Sequence, residues 1–138
     1  MITLEDYLDH WRIAYPNAEV PDDELTEEMR KDAQVTVDRA NELLERFGKA
    51  RGITSGWRPV AVNALVPGAA PHSNHVRCRA VDIADPGNEL DSWINAHPEV
   101  LDDLDLWREA PVGTSGWCHV QIVQFRSWQP GHSRTFMP

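Results

Sequence analysis

The feature that most constrains the fold is a change of hydrophobic period partway along the chain, between Gly48 and Gly52. Before it, Met29, Ala33, Val37, Ala40, Leu44 and Phe47 recur at steps of four and three, which places them on one stripe of a helix about six turns long. Thr26 ahead of Glu27 and Glu28 reads as an N-cap with an acidic first turn, Leu25 as its staple, and Gly48 as the stop. A shorter helix is expected over Thr3 to Ala14, with Thr3 as cap and Leu4, Leu8 and Trp11 on one face; Pro16 to Asp23 is a connector. So wide an apolar stripe must be covered, and the rest of the chain has to supply the cover.

Beyond Gly52 the segments are short and punctuated. Ile53 to Pro59 is β-prone, Val66 to Pro71 is a Pro/Gly/Ala loop, and Arg79 to Ala84 reads as a strand. A helix is expected over Asn88 to His97, ending before Pro98. Leu104 to Glu109 and Trp117 to Val123 read as two strands of a hairpin joined by Ala110 to Gly116, whereas Gln124 to Pro138 shows no period. The fold class expected is α+β: two N-terminal helices packed on a mainly antiparallel sheet, in one domain over residues 1–138, helical over residues 1–52 and sheet-rich over residues 53–138.

Thirteen basic against twenty-two acidic residues leave a net charge of −9, which repels phosphate backbones and anionic headgroups and argues against nucleic acid or membrane surfaces as partners. No apolar run approaches the ~18 residues of a membrane span. Met1 to His10 carries acids where a secretory signal carries bases, so a cytoplasmic monomer without its own signal peptide is expected. Cys78 and Cys118 are too few for a disulfide framework.

Alternation along the second hairpin strand puts Cys118, Val120 and Ile122 on one face and Trp117, His119 and Gln121 on the other, so His119 points away from the core. A second cluster, His72-Ser73-Asn74-His75 followed by Asp82, lies in a loop entering a strand. His75, Asp82 and His119 would form a three-ligand zinc site with one position open, the arrangement of catalytic zinc. Two other readings stand beside it. The histidines are surface or packing residues, as His10, His97 and His132 are expected to be, with His72 near enough to support a ligand. Alternatively His75, Cys78, Cys118 and His119 form a structural site, although neighbouring strand residues Cys118 and His119 face opposite ways.

The blocks Ser55-Gly56-Trp57-Arg58-Pro59, Asn63, Ser73-Asn74-His75-Val76-Arg77-Cys78-Arg79-Ala80-Val81-Asp82 and Trp117-Cys118-His119 resemble the M15 (D-Ala-D-Ala carboxypeptidase) zinc peptidases, which share S-G-[YW]-R, S-x-H-x-x-G-x-A-x-D and a late W-x-H. The resemblance spans about Thr54 to Val123 and departs at Cys78, where the family has glycine. It implies the fold of DD-peptidases and hedgehog signalling domains, one zinc ion on His75, Asp82 and His119, and Arg58 and Ser73 lining the substrate site. Trp117, which shares the His119 face, is either core or a substrate platform. The family's general base is a Glu shortly before the last His. Here positions 116 to 118 are Gly, Trp and Cys, so Glu109, on the partner strand, is the candidate; its other reading is a solvated strand-end carboxylate. The implied substrate is a peptidoglycan stem peptide or other D-amino-acid-containing peptide, cut by a carboxypeptidase, an endopeptidase or a phage lysis enzyme released by a partner pore. A non-catalytic zinc-containing binding module of the same fold is the alternative.

Overall fold

A computed structural model describes all of residues 1–138. The long stripe becomes a 21-residue helix, α3 (Glu27–Phe47), preceded by α1 (Leu4–Asp9) and α2 (Trp11–Ala14). The caps are those expected: Thr3 Oγ1 accepts from the Asp6 N–H, Thr26 Oγ1 accepts from the Met29 N–H, and Gly48 closes α3 at φ 85°. Met29, Ala33, Val37, Ala40 and Leu44 are all buried, with Phe47 packed at the edge of the same cluster. The single expected helix over Thr3 to Ala14 is in fact interrupted at His10, where Ile13 N–H turns back to the His10 carbonyl, a tighter bond than the α-helical one.

The sheet follows as β1 (Ile53–Ser55), α4 (Val60–Asn63), β2 (Ala80–Ala84), α5 (Glu89–Ala96), α6 (Glu99–Leu104), β3 (Trp107–Glu109), β4 (Trp117–Gln121) and β5 (Thr135–Phe136). Its strand order is β1-β2-β4-β3-β5, antiparallel except for the parallel pair β3 and β5, so the architecture is α+β with a five-stranded mixed sheet. One expectation is corrected at Leu104. It ends helix α6 and is buried, and β3 begins only at Trp107, because Glu99 to Leu104 carries Val100, Leu101 and Leu104 on one helical face. The short helices α4 and α6 are not expected from the sequence.

Strand parity decides what each face of the sheet does. Val81, Ile83, Cys118 and Val120 are fully buried in the apolar cluster shared with α3. Arg108 also faces inward. Its guanidinium donates to the Asp91 carboxylate at 3.2 Å, the Asp91 carbonyl at 2.9 Å and Thr135 Oγ1 at 3.0 Å, which ties α5, β3 and β5 together. The tail is held a second time by Arg134, stacked over Trp107 and Trp128 and paired with Asp102 and Asp105. The opposite face of β2, β4 and β3 is left for the site.

Candidate active site

The β2–β4 register sets Asp82 directly across from His119, and the β3–β4 register, which pairs Trp107 with Gln121 and Arg108 with Val120, continues to put Glu109 across from His119 on its other side. β5 adds Phe136 beside Glu109. One row therefore crosses four strands: Asp82, His119, Glu109, Phe136. His75 comes from a short 3₁₀ turn, Asn74–Arg77, that Ser73 caps by accepting from the His75 backbone N–H at 3.2 Å.

His75, Asp82 and His119 converge so that their ligand atoms all lie within 4.8 Å of one another. The His75 Nε2 and His119 Nδ1 atoms lie 3.3 Å and 2.8 Å from the same oxygen, Asp82 Oδ1. His75 Nδ1 sits 2.8 Å from the Gly56 carbonyl, an oxygen that can only accept, so the ring proton belongs on Nδ1 and the Nε2 lone pair faces the carboxylate. That Nε2 is buried and has no hydrogen-bond partner. A buried lone pair aimed at an anion is an unfavourable arrangement that a cation between them relieves, so this donor set of two imidazoles and one carboxylate fits zinc.

The electrostatics agree. Burial pushes the His75 imidazole below its ordinary value, keeping it neutral as a ligand must be. Burial would raise the Asp82 carboxyl, but the two imidazoles beside it hold it well below the usual carboxylate range. Burial also lowers His119, yet the Asp82 and Gln121 hydrogen bonds outweigh it and leave His119 raised. Glu109 is raised, chiefly by burial and further by the charges of Asp82 and Asp91. It is half-buried rather than a freely solvated strand end, and Gly113 makes room for it: a Cβ there would lie 2.7 Å from Glu109 Oε2.

Arg58 is anchored inside the site. Its guanidinium donates to Ser55 Oγ at 3.0 Å, Asn63 Oδ1 at 3.3 Å and Asp82 Oδ2 at 3.4 Å, which leaves two of its five N–H donors for another group. Beside it, Trp11, Tyr15, Val62 and Val66 help line a cavity of about 260 Å³. Trp117, two positions before His119 on β4 and paired with Ala84, is half-buried. The cysteine-containing alternative is not assembled: Cys78 and Cys118 are fully buried in the apolar core, and burial raises the Cys78 thiol to about 12. Sequence reasoning passes over Gln121, whose side chain meets His119, and Phe136, whose ring stands edge-on to His119; alternation along β4 is a signal for the first, and nothing marks the second.

The model of one family, Peptidase M15, matches residues 17–100, a stretch that holds Arg58, Ser73, His75 and Asp82 and stops short of Glu109 and His119. No curated protein and no solved structure matches the chain at significant similarity. With the match covering more than half of the 138 residues, the chain belongs to the Peptidase M15 family, a family of zinc metallopeptidases.

Proposed function

We propose that this peptidase hydrolyses an amide bond in peptidoglycan stem peptides, with His75, Asp82 and His119 holding one zinc ion. The observation that carries the reading is the orphaned Nε2 of His75, aimed at the oxygen that His119 also meets, with Glu109 next in the row. Bound there, zinc would polarise the scissile carbonyl and make hydroxide available near neutral pH. Glu109 takes the proton of the attacking water on its carboxylate and returns it to the leaving amine. Its raised proton affinity suits both halves of that task. Arg58 uses its two spare N–H donors on a substrate carboxylate or on the developing oxyanion, while the other three hold it to Ser55, Asn63 and Asp82.

Ser73 serves the site first as the cap that orients the His75 turn, and its hydroxyl proton is free for a substrate oxygen. Trp117, half-buried on β4 on the same side as His119, is the surface for the peptide to lie against. The cavity next to Arg58 has the size and lining for a small apolar side chain adjoining a carboxylate, as at the end of a stem peptide. The protein acts as a monomer, within a cell or released to the wall by a partner pore.

The test is hydrolysis of purified muropeptides, with products identified by mass spectrometry. Glu109→Gln should keep full zinc occupancy and lose about 10²- to 10⁴-fold in rate. Equal rates in both proteins would remove Glu109 from the chemistry, and no cleavage by the zinc-loaded wild type would favour the binding-module reading.

A further inference from the structure

We infer that Gln121 selects the nitrogen that His119 offers to the cation, an inference that rests on the zinc-site reading above. Gln121 follows His119 by two residues on β4, shares its face, and is only 4% exposed. Its amide is held at both ends. The Nε2 end donates to the Val123 carbonyl at 2.9 Å, and the Oε1 end lies 2.9 Å from His119 Nε2. A carbonyl can only accept, so the amide cannot be turned round, and an acceptor faces His119 Nε2. That nitrogen is therefore the one placed to keep the proton while Nδ1 serves a cation. In a neutral ring the lone pair is then on Nδ1, the atom 2.8 Å from Asp82 Oδ1 and on the side of His75.

This matters because Asp82 pulls the other way. A carboxylate beside Nδ1 stabilises a proton on Nδ1, and that tautomer turns its lone pair toward Gln121, away from the three converging ligand atoms. Without an acceptor at position 121 a neutral His119 would settle into the form that cannot bind metal through Nδ1. His75 needs no such device, since the Gly56 carbonyl already holds its Nδ1 proton. The two imidazoles thus present opposite nitrogens, one set by a backbone carbonyl and the other by a side chain. Gln121 is a positioning residue, acting through His119.

The experiment compares the full chain with Gln121→Leu, which removes the acceptor, and Gln121→Glu, which restores one. Zinc affinity is measured by competition with a chelator, and the His119 tautomer is read from imidazole ¹⁵N shifts of the metal-free protein at alkaline pH, where the ring is neutral. Wild type and Gln121→Glu should keep more of the ring proton on Nε2 than Gln121→Leu does. Gln121→Leu should shift it toward Nδ1 and bind zinc about 10- to 100-fold more weakly, the usual effect of losing such a partner. A Gln121→Leu ring with the wild-type tautomer ratio, or a Gln121→Leu protein with wild-type zinc affinity, overturns the inference. Should the wild type bind no zinc, the metal reading fails by itself, while the ¹⁵N spectrum still decides whether Gln121 holds the tautomer.

Discussion

Gly56→Ala tests whether the glycine of the Ser55-Gly56-Trp57-Arg58 block is there for space. Gly56 is not in the left-handed region; what requires glycine is that a Cβ would lie 2.2 Å from the Tyr7 carbonyl oxygen and 3.0 Å from its carbon. Ordinary contact begins near 3.4 Å, so the two backbones must part by about 1.2 Å, the difference between 3.4 and 2.2. That movement breaks the Trp57 N–H bond to the Tyr7 carbonyl, 3.0 Å long, and carries the Gly56 carbonyl away from His75 Nδ1. Overpacking of this kind costs about 1–3 kcal/mol and a buried backbone pair left unsatisfied a similar amount, so a loss of about 3 kcal/mol is expected. For a chain of this length the corresponding fall in melting temperature is roughly 10 °C. Zinc affinity should fall as well, because His75 loses the acceptor that fixes its tautomer. Gly52→Ala, where an added Cβ meets nothing within 4 Å, is the matched control. Calorimetry and a chelator competition on both variants are sufficient. A Gly56→Ala protein that melts with the control and binds zinc as tightly as wild type would refute the close-approach argument.

Three further outcomes follow from the same reasoning. Cys78 sits at φ 61° where the family has glycine, a conformation costing a side-chain-bearing residue about 1–2 kcal/mol; Cys78→Gly should be at least as stable as Cys78→Ala in urea despite losing one more buried carbon. Asp91→Ala strands the buried Arg108 charge and should cost about 3–5 kcal/mol by the same assay, with Asp91→Ala/Arg108→Met recovering some of it. Because His119 is raised above its ordinary value, its proton stabilises the metal-free fold at low pH and that contribution is lost as pH rises through the raised value. Zinc has to displace that proton, so apparent zinc affinity should be constant above that pH and fall about tenfold per unit below it, read by chelator competition across a pH series.

The features of this fold that are legible in the sequence are those whose signal is local. The α3 stripe, the Thr26 cap and the Gly48 stop each depend on residues within a few positions of one another, and all three occur where expected. The β4 alternation is equally local and places His119 on the face opposite Cys118. What stays hidden depends on distant partners. β5 is two residues long, too short for any period, and exists because Arg134 is stacked on Trp107 and Trp128 while Thr135 meets Arg108. Arg108 itself looks like a surface residue of a strand. Asp91 and Asn95 from a separate helix, with Thr135 from β5, make its inward orientation tolerable.

The row Asp82, His119, Glu109, Phe136 explains why a site so poor in local sequence motif around the last histidine still assembles. Neighbouring strands lie about 4.8 Å apart, so residues facing one another across a ladder are held at catalytic distances by the ladder itself. Displacing β4 by one residue would bring Cys118 or Val120 opposite Asp82 and turn His119 into the apolar cluster beneath the sheet. The cost of exposing those two fully buried side chains therefore guards the position of His119. It also explains how Glu109 can stand ten residues before His119 in sequence: a hairpin of any loop length that preserves the pairing of Arg108 with Val120 brings Glu109 to the same place. Loop length can then vary away from Gly113 while parity cannot, and an insertion at the exposed Ser115 should be tolerated where a single-residue deletion inside β3 or β4 would separate the carboxylate from the imidazole.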